Sequence, residues 1–437
     1  MNIPKLRKEP TVKSCHNIDW EDDYSWVHQE NILEVLKDGS KLLPEVKKYL
    51  EKENEYTKKQ LSGTHPMQKK LFDEIKARIK LDDESLPYKD KNYEYWTKVT
   101  KEGNYSKKLR KKIGDNEIET YWDGDAEAKG KKFFSTGDIA VSHNDELLAY
   151  SIDDKGSEYF TIFVRRISDN KIIEETIPDT AGGITWSYDD KYFFYSKLDK
   201  FHRPRQIFTH KLGTSLKEDQ LVFEEKDDRF TCGIGTSSDE QFYFISTSEH
   251  TTSEVYYFNK NETRPEPKII LKRKEGVQYS LDSWDGYFWI HTNQNAKDFK
   301  ISRCKHDDVN KWEDYIPAKE EVLIGGFVLL NNWMIRSEKV DAMPKLLIRN
   351  LKTNKEEELK ISDEEIISPG MSLIQKDRNT DVIRVSYESP KTPDRTYEYN
   401  VATKEKKLVK ELEIPSGYNR DEYIVKRVNC EAHDGRK

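Results

Sequence analysis

The 437-residue sequence is poor in cysteine and has no long apolar run. Its four cysteines, Cys15, Cys232, Cys304 and Cys430, stand far apart without a Cys-x-x-Cys pair. That spacing excludes zinc-ribbon and thioredoxin-like chemistry and points to free thiols in a reducing, cytoplasmic setting. No stretch of about 18 apolar residues exists, and residues 1–10 carry Lys5, Arg7 and Lys8 with no apolar run behind them. Neither a membrane span nor a signal peptide is expected. A basic surplus is missing too: 74 Lys and Arg face 81 Asp and Glu, a formal charge of −7. A dedicated nucleic-acid binder needs the opposite balance. Catalytic signatures are equally scarce. There is no Gly-x-Ser-x-Gly elbow, no Walker loop and no His-Glu-x-x-His, and Gly233-Ile-Gly235 lacks the third glycine of a dinucleotide turn. No residue is therefore assigned a catalytic or metal-binding role, and no cofactor is expected.

What the chain does contain is aromatic: 24 Tyr, 17 Phe and 9 Trp, enough apolar area to offset chain entropy. Residues up to about Leu81 read as helical. Pro44 suits a first helical turn, and Val46, Tyr49 and Leu50 then share one face. After Pro66, Met67, Leu71, Ile75 and Ile79 recur at four-residue steps with Phe72 beside them. Such stripes are core-forming faces, yet nothing else in the sequence is an obvious surface for them to cover.

From about Pro87 the period changes to two, and short aromatic and β-branched runs appear between polar turns. Four of these units align: Ser142-His-Asn-Asp-Glu-Leu-Leu-Ala-Tyr-Ser151, Ser187-Tyr-Asp-Asp-Lys-Tyr-Phe-Phe-Tyr-Ser196, Ser237-Ser-Asp-Glu-Gln-Phe-Tyr-Phe-Ile-Ser246 and Ser283-Trp-Asp-Gly-Tyr-Phe-Trp-Ile-His-Thr292. Their first serines lie 45, 50 and 46 residues apart. Weaker copies follow near Asn331-Asn332-Trp333-Met334-Ile335 and Lys376-Asp377-Arg378-Asn379, and one more unit fits between Pro87 and Gly137. A period of about 40–50 residues with four short strands per unit is the mark of propeller blades. The expected architecture is mainly β: a seven-bladed β-propeller over residues 83–411, preceded by an α-helical extension over residues 1–82.

Within a blade the Ser-x-Asp turn joins the first two strands, so the next connection points to the opposite face. Those second connections, 153–158, 199–205, 249–253, 293–298, 340–344 and 388–393, form a ring around one mouth, where binding residues are expected to gather. The basic run Lys107-Lys108-Leu109-Arg110-Lys111-Lys112 reads as a solvated strand face, and Glu224-Glu225-Lys226-Asp227-Asp228 as a structural or solubilising turn between blades rather than a site for a cationic substrate end. After Lys410 the repeats stop. Pro415, Ser416 and Gly417 signal a linker, Tyr423 to Val428 reads as a strand, and Asp434-Gly435 as a hairpin turn whose second strand is missing.

Several segments taken together are specific: Asp23-Tyr24-Ser25-Trp26, Val46-Lys-Lys-Tyr-Leu-Glu-Lys-Glu-Asn54, Glu224-Glu-Lys-Asp-Asp228, Thr251-Thr-Ser-Glu-Val255, Tyr279-Ser-Leu-Asp282, Trp312-Glu-Asp-Tyr-Ile-Pro317 and Asp434-Gly435. In this order and spacing the chain resembles the N-terminal part of oligopeptidase B (protease II), in the prolyl oligopeptidase family of serine peptidases. The resemblance implies that residues 1–82 pack on an α/β-hydrolase catalytic domain missing from this sequence, and that residues 412–437 lead into it. It also implies cleavage of short peptides after Lys or Arg, with a Ser/Asp/His triad beyond Lys437 and a propeller that keeps folded proteins out. On the resemblance the chain alone is inactive, and its partners are oligopeptides with Lys or Arg and its own hydrolase domain; neither nucleic acid nor membrane is expected to bind. Glu158 is the candidate for an ion pair with a catalytic-domain loop. Arg203, Arg205, Glu254 and Lys297 are further candidates for substrate gating or interdomain contact, with a local salt bridge as the competing reading for each. A stand-alone β-propeller binding scaffold without catalysis is the alternative.

Overall fold

Alternation of apolar and polar residues, broken by turns rich in Ser, Asp and Gly, folds most of this chain into antiparallel ladders. The computed structural model describes residues 2–262 and 265–435. Met1, Arg436 and Lys437, the outermost residues of the two flanking segments, lie outside the described residues. Six larger sheets follow one another along the described chain. The first runs from Asp83–Glu84 to Ile118–Asp123, the second from Ser135–Val141 to Gln220–Glu224, and the third from Thr231–Thr236 to Lys268–Ile269. The fourth spans Tyr279–Trp284 to Asp308–Ile316, the fifth Val322–Leu330 to Glu356–Leu359, and the sixth Ser368–Leu373 to Lys406–Glu411.

The serine turns fold as the repeat predicts. Ser142, Ser187 and Ser237 are buried, and each donates its N–H across the turn, to the carbonyls of Leu147, Tyr192 and Phe242, at 2.8–2.9 Å. Asp145, Asp190 and Glu240 take the left-handed conformation that closes each turn. The strand that follows is buried on both faces. Phe193, Phe194 and Tyr195 are consecutive and at most 1% exposed, although neighbouring residues of a strand point to opposite sides. Phe193 and Tyr195 join one core and Phe194 the next. Likewise Phe242 and Phe244 face the fourth sheet while Tyr243 and Ile245 face the second.

Every successive pair of sheets shares such a core, from the first and second around to the fifth and sixth. The sixth then returns to the first. Gln375 pairs in parallel with Lys89, and the Arg384 guanidinium donates to the Pro87 carbonyl at 2.6 Å. The sheets therefore close into a ring. The second sheet has seven strands, and its strand Ile177–Trp186 pairs on one side with Phe160–Arg166 and on the other with Tyr192–Leu198. Register breaks interrupt both pairings, and the two halves of the sheet pack on each other through Ile162, Val164, Ile184 and Phe193.

The expected helical extension begins later than its sequence suggests. Thr11–Cys15 and Ile18–Asp22 form a hairpin, because Thr11, Val12 and Ile18 are β-branched and His16-Asn17 takes positive φ at both turn positions. Three helices follow, α1 (Ile32–Lys37), α2 (Pro44–Gln60) and α3 (His65–Ala77). Val46 is buried, but Leu50, Met67, Leu71, Phe72, Ile75 and Ile79 are all exposed. At the other end, Tyr423 to Val428 carries no strand pairing among the described residues; a strand exists only against a partner, and Ile424 and Val428 lie open to solvent. No helix among the described residues is long and apolar enough to cross a membrane. All four cysteines are free, and burial pushes the Cys232 thiol up to about 12 and the Cys304 thiol up to about 11.

One buried titratable group joins the two halves of the second sheet. His210 is fully buried, with Nδ1 at 2.7 Å from Asp219 and Nε2 at 3.5 Å from Glu174. Burial opposes its charge, but the Asp219 hydrogen bond and the Glu174 carboxylate outweigh it and raise its pKa. A proton held more tightly in the folded chain stabilises below the unfolded value of about 6.5, and that contribution fades as pH climbs through the raised folded value. Thermal denaturation should show a melting temperature that falls as pH rises above about 6.5, and His210→Gln should flatten the slope.

Candidate functional site

Because adjacent strands are antiparallel, the connections between second and third strands all emerge on one rim of the ring. They run over residues 154–159, 199–203, 249–252, 293–299, 341–342 and 390–391. In three of them an acidic residue leaving the second strand folds the loop back on itself. The buried Asp153 accepts from the N–H groups of Lys155, Gly156 and Glu158 at 2.8–3.0 Å. Asp199 accepts from those of Phe201 and Arg203 at 2.8 and 3.0 Å. Glu249 accepts from the Thr251 N–H and hydroxyl, which with Thr252 hold its carboxyl down at about 2. Glu158, His202, Asn295, Phe299, Asp341 and Ala342 adopt the left-handed backbone in these loops. Non-glycine residues accept that conformation only where the surroundings fix it, so the rim is a preorganised surface.

The five residues singled out from the sequence divide into two groups. Glu158 and Lys297 are exposed on the rim, and their side chains have no hydrogen-bond or ion-pair partner among the described residues. Arg203, Arg205 and Glu254 have partners within the chain. Arg203 donates to the Arg229 carbonyl at 3.2 Å. Arg205 donates to the Glu225 carbonyl at 2.8 and 3.0 Å and pairs with Asp199 at 3.2 Å. Glu254 is buried and holds Arg273 at 2.8 Å, while the same guanidinium reaches Glu225 at 2.5 Å. The Tyr256 hydroxyl donates to Glu254 at 3.0 Å. The second and third sheets are thus stitched beneath the rim by one cation between two carboxylates, stacked 4.0 Å from the Phe230 ring. Arg273 gave no signal in the sequence, since it stands between two lysines, and Glu225 was marked only as part of a run read as a structural or solubilising turn.

Both flanking segments meet this rim. Lys37 of α1 lies 2.6 Å from Asp179 and 4.0 Å above the Tyr159 ring, and Tyr159 packs edge-on against His202 at 4.4 Å. Beyond the sixth sheet, Arg427 pairs with Asp341 at 2.5 Å and the Tyr418 hydroxyl donates to the Lys391 carbonyl. Lys80 and Glu413, 2.7 Å apart, join the two segments to each other. The basic run of the first sheet is neutralised within that sheet rather than left as a solvated face: Lys107 pairs with Asp123, the buried Arg110 with Glu119 and Lys111 with Glu94. Among the described residues no three His, Cys, Asp or Glu side chains gather as a metal site.

Comparison with known proteins accounts for this geometry. Residues 4–412 match the family described as prolyl oligopeptidase, N-terminal beta-propeller domain. Dipeptidyl aminopeptidase BI of Pseudoxanthomonas mexicana is 30% identical over 99% of this chain and 61% of its own length. Protease 2 of Moraxella lacunata is 22% identical over the whole chain and 62% of its own. Oligopeptidase B of Trypanosoma brucei, in its closed form with covalently bound antipain, superposes with a TM-score of 0.89 at 22% identity, over 99% of this chain and 64% of that one. Oligopeptidase B of Leishmania major gives the same score at 21% identity. The chain therefore spans less than two thirds of the relatives it matches.

The two groups of rim residues should separate on mutation. Glu254→Ala strips a buried cation of one of its two carboxylates and should cost about 3 kcal/mol, whereas Glu158→Gln and Lys297→Gln should each stay within about 0.5 kcal/mol of the parent. Urea denaturation of the three variants measures the difference.

Proposed function

We propose, from the premise that this chain belongs to the prolyl oligopeptidase family as its N-terminal β-propeller portion, that it is the gating part of an oligopeptidase B-like serine peptidase of the cytoplasm. We count seven blades, reading the seven-stranded second sheet as two blades that share the bent strand Ile177–Trp186. The reading supplies short peptides cut after Lys or Arg as substrates, and an α/β-hydrolase domain with a Ser/Asp/His triad as the partner. The observation that carries it is the convergence of both flanking segments on one rim: the extension through Lys37 and the tail through Arg427 reach the same loops. A domain joined to both segments would sit over that mouth, and the ring would admit a flexible peptide while turning away a folded protein. The exposed stripe of Met67, Leu71, Phe72 and Ile75 supplies the apolar face that such a domain would cover. Activated serine, proton-shuttling histidine and backbone oxyanion donors would then come from that domain. On this rim Glu158 and Lys297, with unpaired heads, are the residues positioned to meet it, and Arg203, Arg205 and Glu254 shape the loops beneath.

A second reading is favoured by one observation. The relative with 30% identity is a dipeptidyl aminopeptidase, so the full protein would release dipeptides from a free amino terminus rather than cut internally. Both readings predict that this chain alone leaves Arg- and Lys-reporter peptides intact. The full-length protein, assayed on amino-blocked peptides, should cleave after Arg or Lys with kcat/KM about a hundredfold above an uncharged residue, and a serine-directed inhibitor should abolish the activity. Cleavage confined to unblocked peptides, two residues at a time, would instead support the aminopeptidase. Hydrolysis by the present chain alone would overturn both.

A further inference from the structure

The turn of the sixth sheet departs from the repeat. In the other sheets the first and second strands are joined by two to five residues, as at Asp285-Gly286, Asn331-Asn332 and 187–191, but here residues 374–381 intervene. The added length is not a solvent loop. Lys89 N–H donates to the Ile374 carbonyl at 3.0 Å and Lys376 N–H to the Lys89 carbonyl at 2.8 Å, which fixes the segment to the first sheet. Asn331 N–H donates to the Arg378 carbonyl at 2.9 Å, which fixes it to the fifth.

Its side chains go further. The Arg378 guanidinium donates to Ser238 Oγ at 2.9 Å, and Lys376 Nζ lies 2.7 Å from Glu240 and 3.6 Å from Asp90. Ser238 and Glu240 belong to the serine turn of the third sheet, and Ser238 in turn donates its N–H and hydroxyl to Asp282 of the fourth, at 2.8 and 2.6 Å. In a ring, the sixth sheet neighbours only the fifth and the first. Contact with the third sheet is possible only across the axis. The segment therefore spans the opening at the mouth opposite the loop rim, with two cations set against the carboxylates of Asp90, Glu240 and Asp282.

We propose that residues 374–380 are a strap that seals this far mouth, and that Lys376 and Arg378 thereby limit the length of peptide the ring accepts. The inference rests on the peptidase reading above. A channel open at one end is a blind chamber. The first strand Ser135–Val141 has seven residues, so an extended peptide at about 3.3 Å per residue meets the strap after about seven residues. Longer chains must fold back or be refused.

The test pairs two measurements. Hydrogen exchange on this chain should show the Lys89, Lys376 and Ser238 amides exchanging about tenfold faster in Arg378→Met/Lys376→Met than in the parent, with Ile245 and Ile290 in the core strands unchanged. Ser238→Ala, which removes a single hydroxyl, gives the same reading should the double variant not melt cooperatively. In the full-length protein, kcat/KM against a peptide series of rising length should drop beyond about seven residues on the channel side. The double variant should recover about tenfold on the long members and nothing on the short ones. Unchanged exchange, or faster exchange with an unchanged length profile, would overturn the strap as a length determinant. A native protein that cleaves no peptide of any length would overturn the peptidase reading instead, and the length role with it, while the exchange measurement still reports the seal.

Discussion

The structure depends on the double-sided burial of its second strands. Phe193-Phe194-Tyr195 and Phe242-Tyr243-Phe244-Ile245 present apolar groups to both faces, and each fully buried side chain is worth about 1.5–3 kcal/mol only while both neighbours stay in place. A sheet of this kind has no stable free face. Each must be flanked, its flanking sheets must be flanked in turn, and the series ends only when the last meets the first. Closure at Lys89 and Gln375 is therefore a requirement of the hydrophobic pattern rather than an ornament of the topology.

Polar groups take the places that this constraint leaves open. At the strand ends, where side chains leave the cores, Asp153, Asp199 and Glu249 satisfy the loop N–H groups that would otherwise lack partners. Buried ions appear in compensated sets: Arg273 with Glu225 and Glu254 between the second and third sheets, and Arg336 with Glu338 and Glu356 at 2.7 Å within the fifth. The guanidinium of Arg336 is fully buried and holds the Glu356 carboxyl down at about 2. Such sets add little net stability but penalise any slip, of one sheet against the next at Arg273 and of one strand against another at Arg336, because a slip would strand a charge in the core.

Much of this was legible in the sequence, for a reason that also explains what was not. The serine turn and the strand after it are local, so the repeat at Ser142, Ser187, Ser237 and Ser283 exposed both the strands and the faces on which their connections emerge. The stripes of α2 and α3 were visible for the same reason. The Thr11–Asp22 hairpin was missed because its alternation is short and its turn residues, His16 and Asn17, are ordinary ones. Glu254 and Arg205 were picked out by their loops, but the link they support joins two units: Arg273, held by Glu254 of the third sheet, is 48 residues from Glu225 at the end of the second, and the pair meets only once those two sheets pack together. The segment at Lys376 looked like a degraded copy of the turn, since sequence alignment cannot show that its two cations reach across the axis.

The same contrast between local and distant interactions separates the ring from what is attached to it. Blade meets blade through apolar cores, whereas the extension meets the ring through Lys37 and Asp179 and the tail through Arg427 and Asp341, pairs that remain substantially exposed. Exposed pairs contribute about 0–1 kcal/mol, far less than the apolar face of α3 would gain by being covered. Ionic contacts can therefore choose where the extension rests on the rim without holding it there against a stronger competitor. An apolar surface presented to Leu71, Phe72 and Ile75 would set the position of α3, and the rim contacts would follow. The ring is thus the fixed frame, and the freedom to shift belongs to the flanking segments.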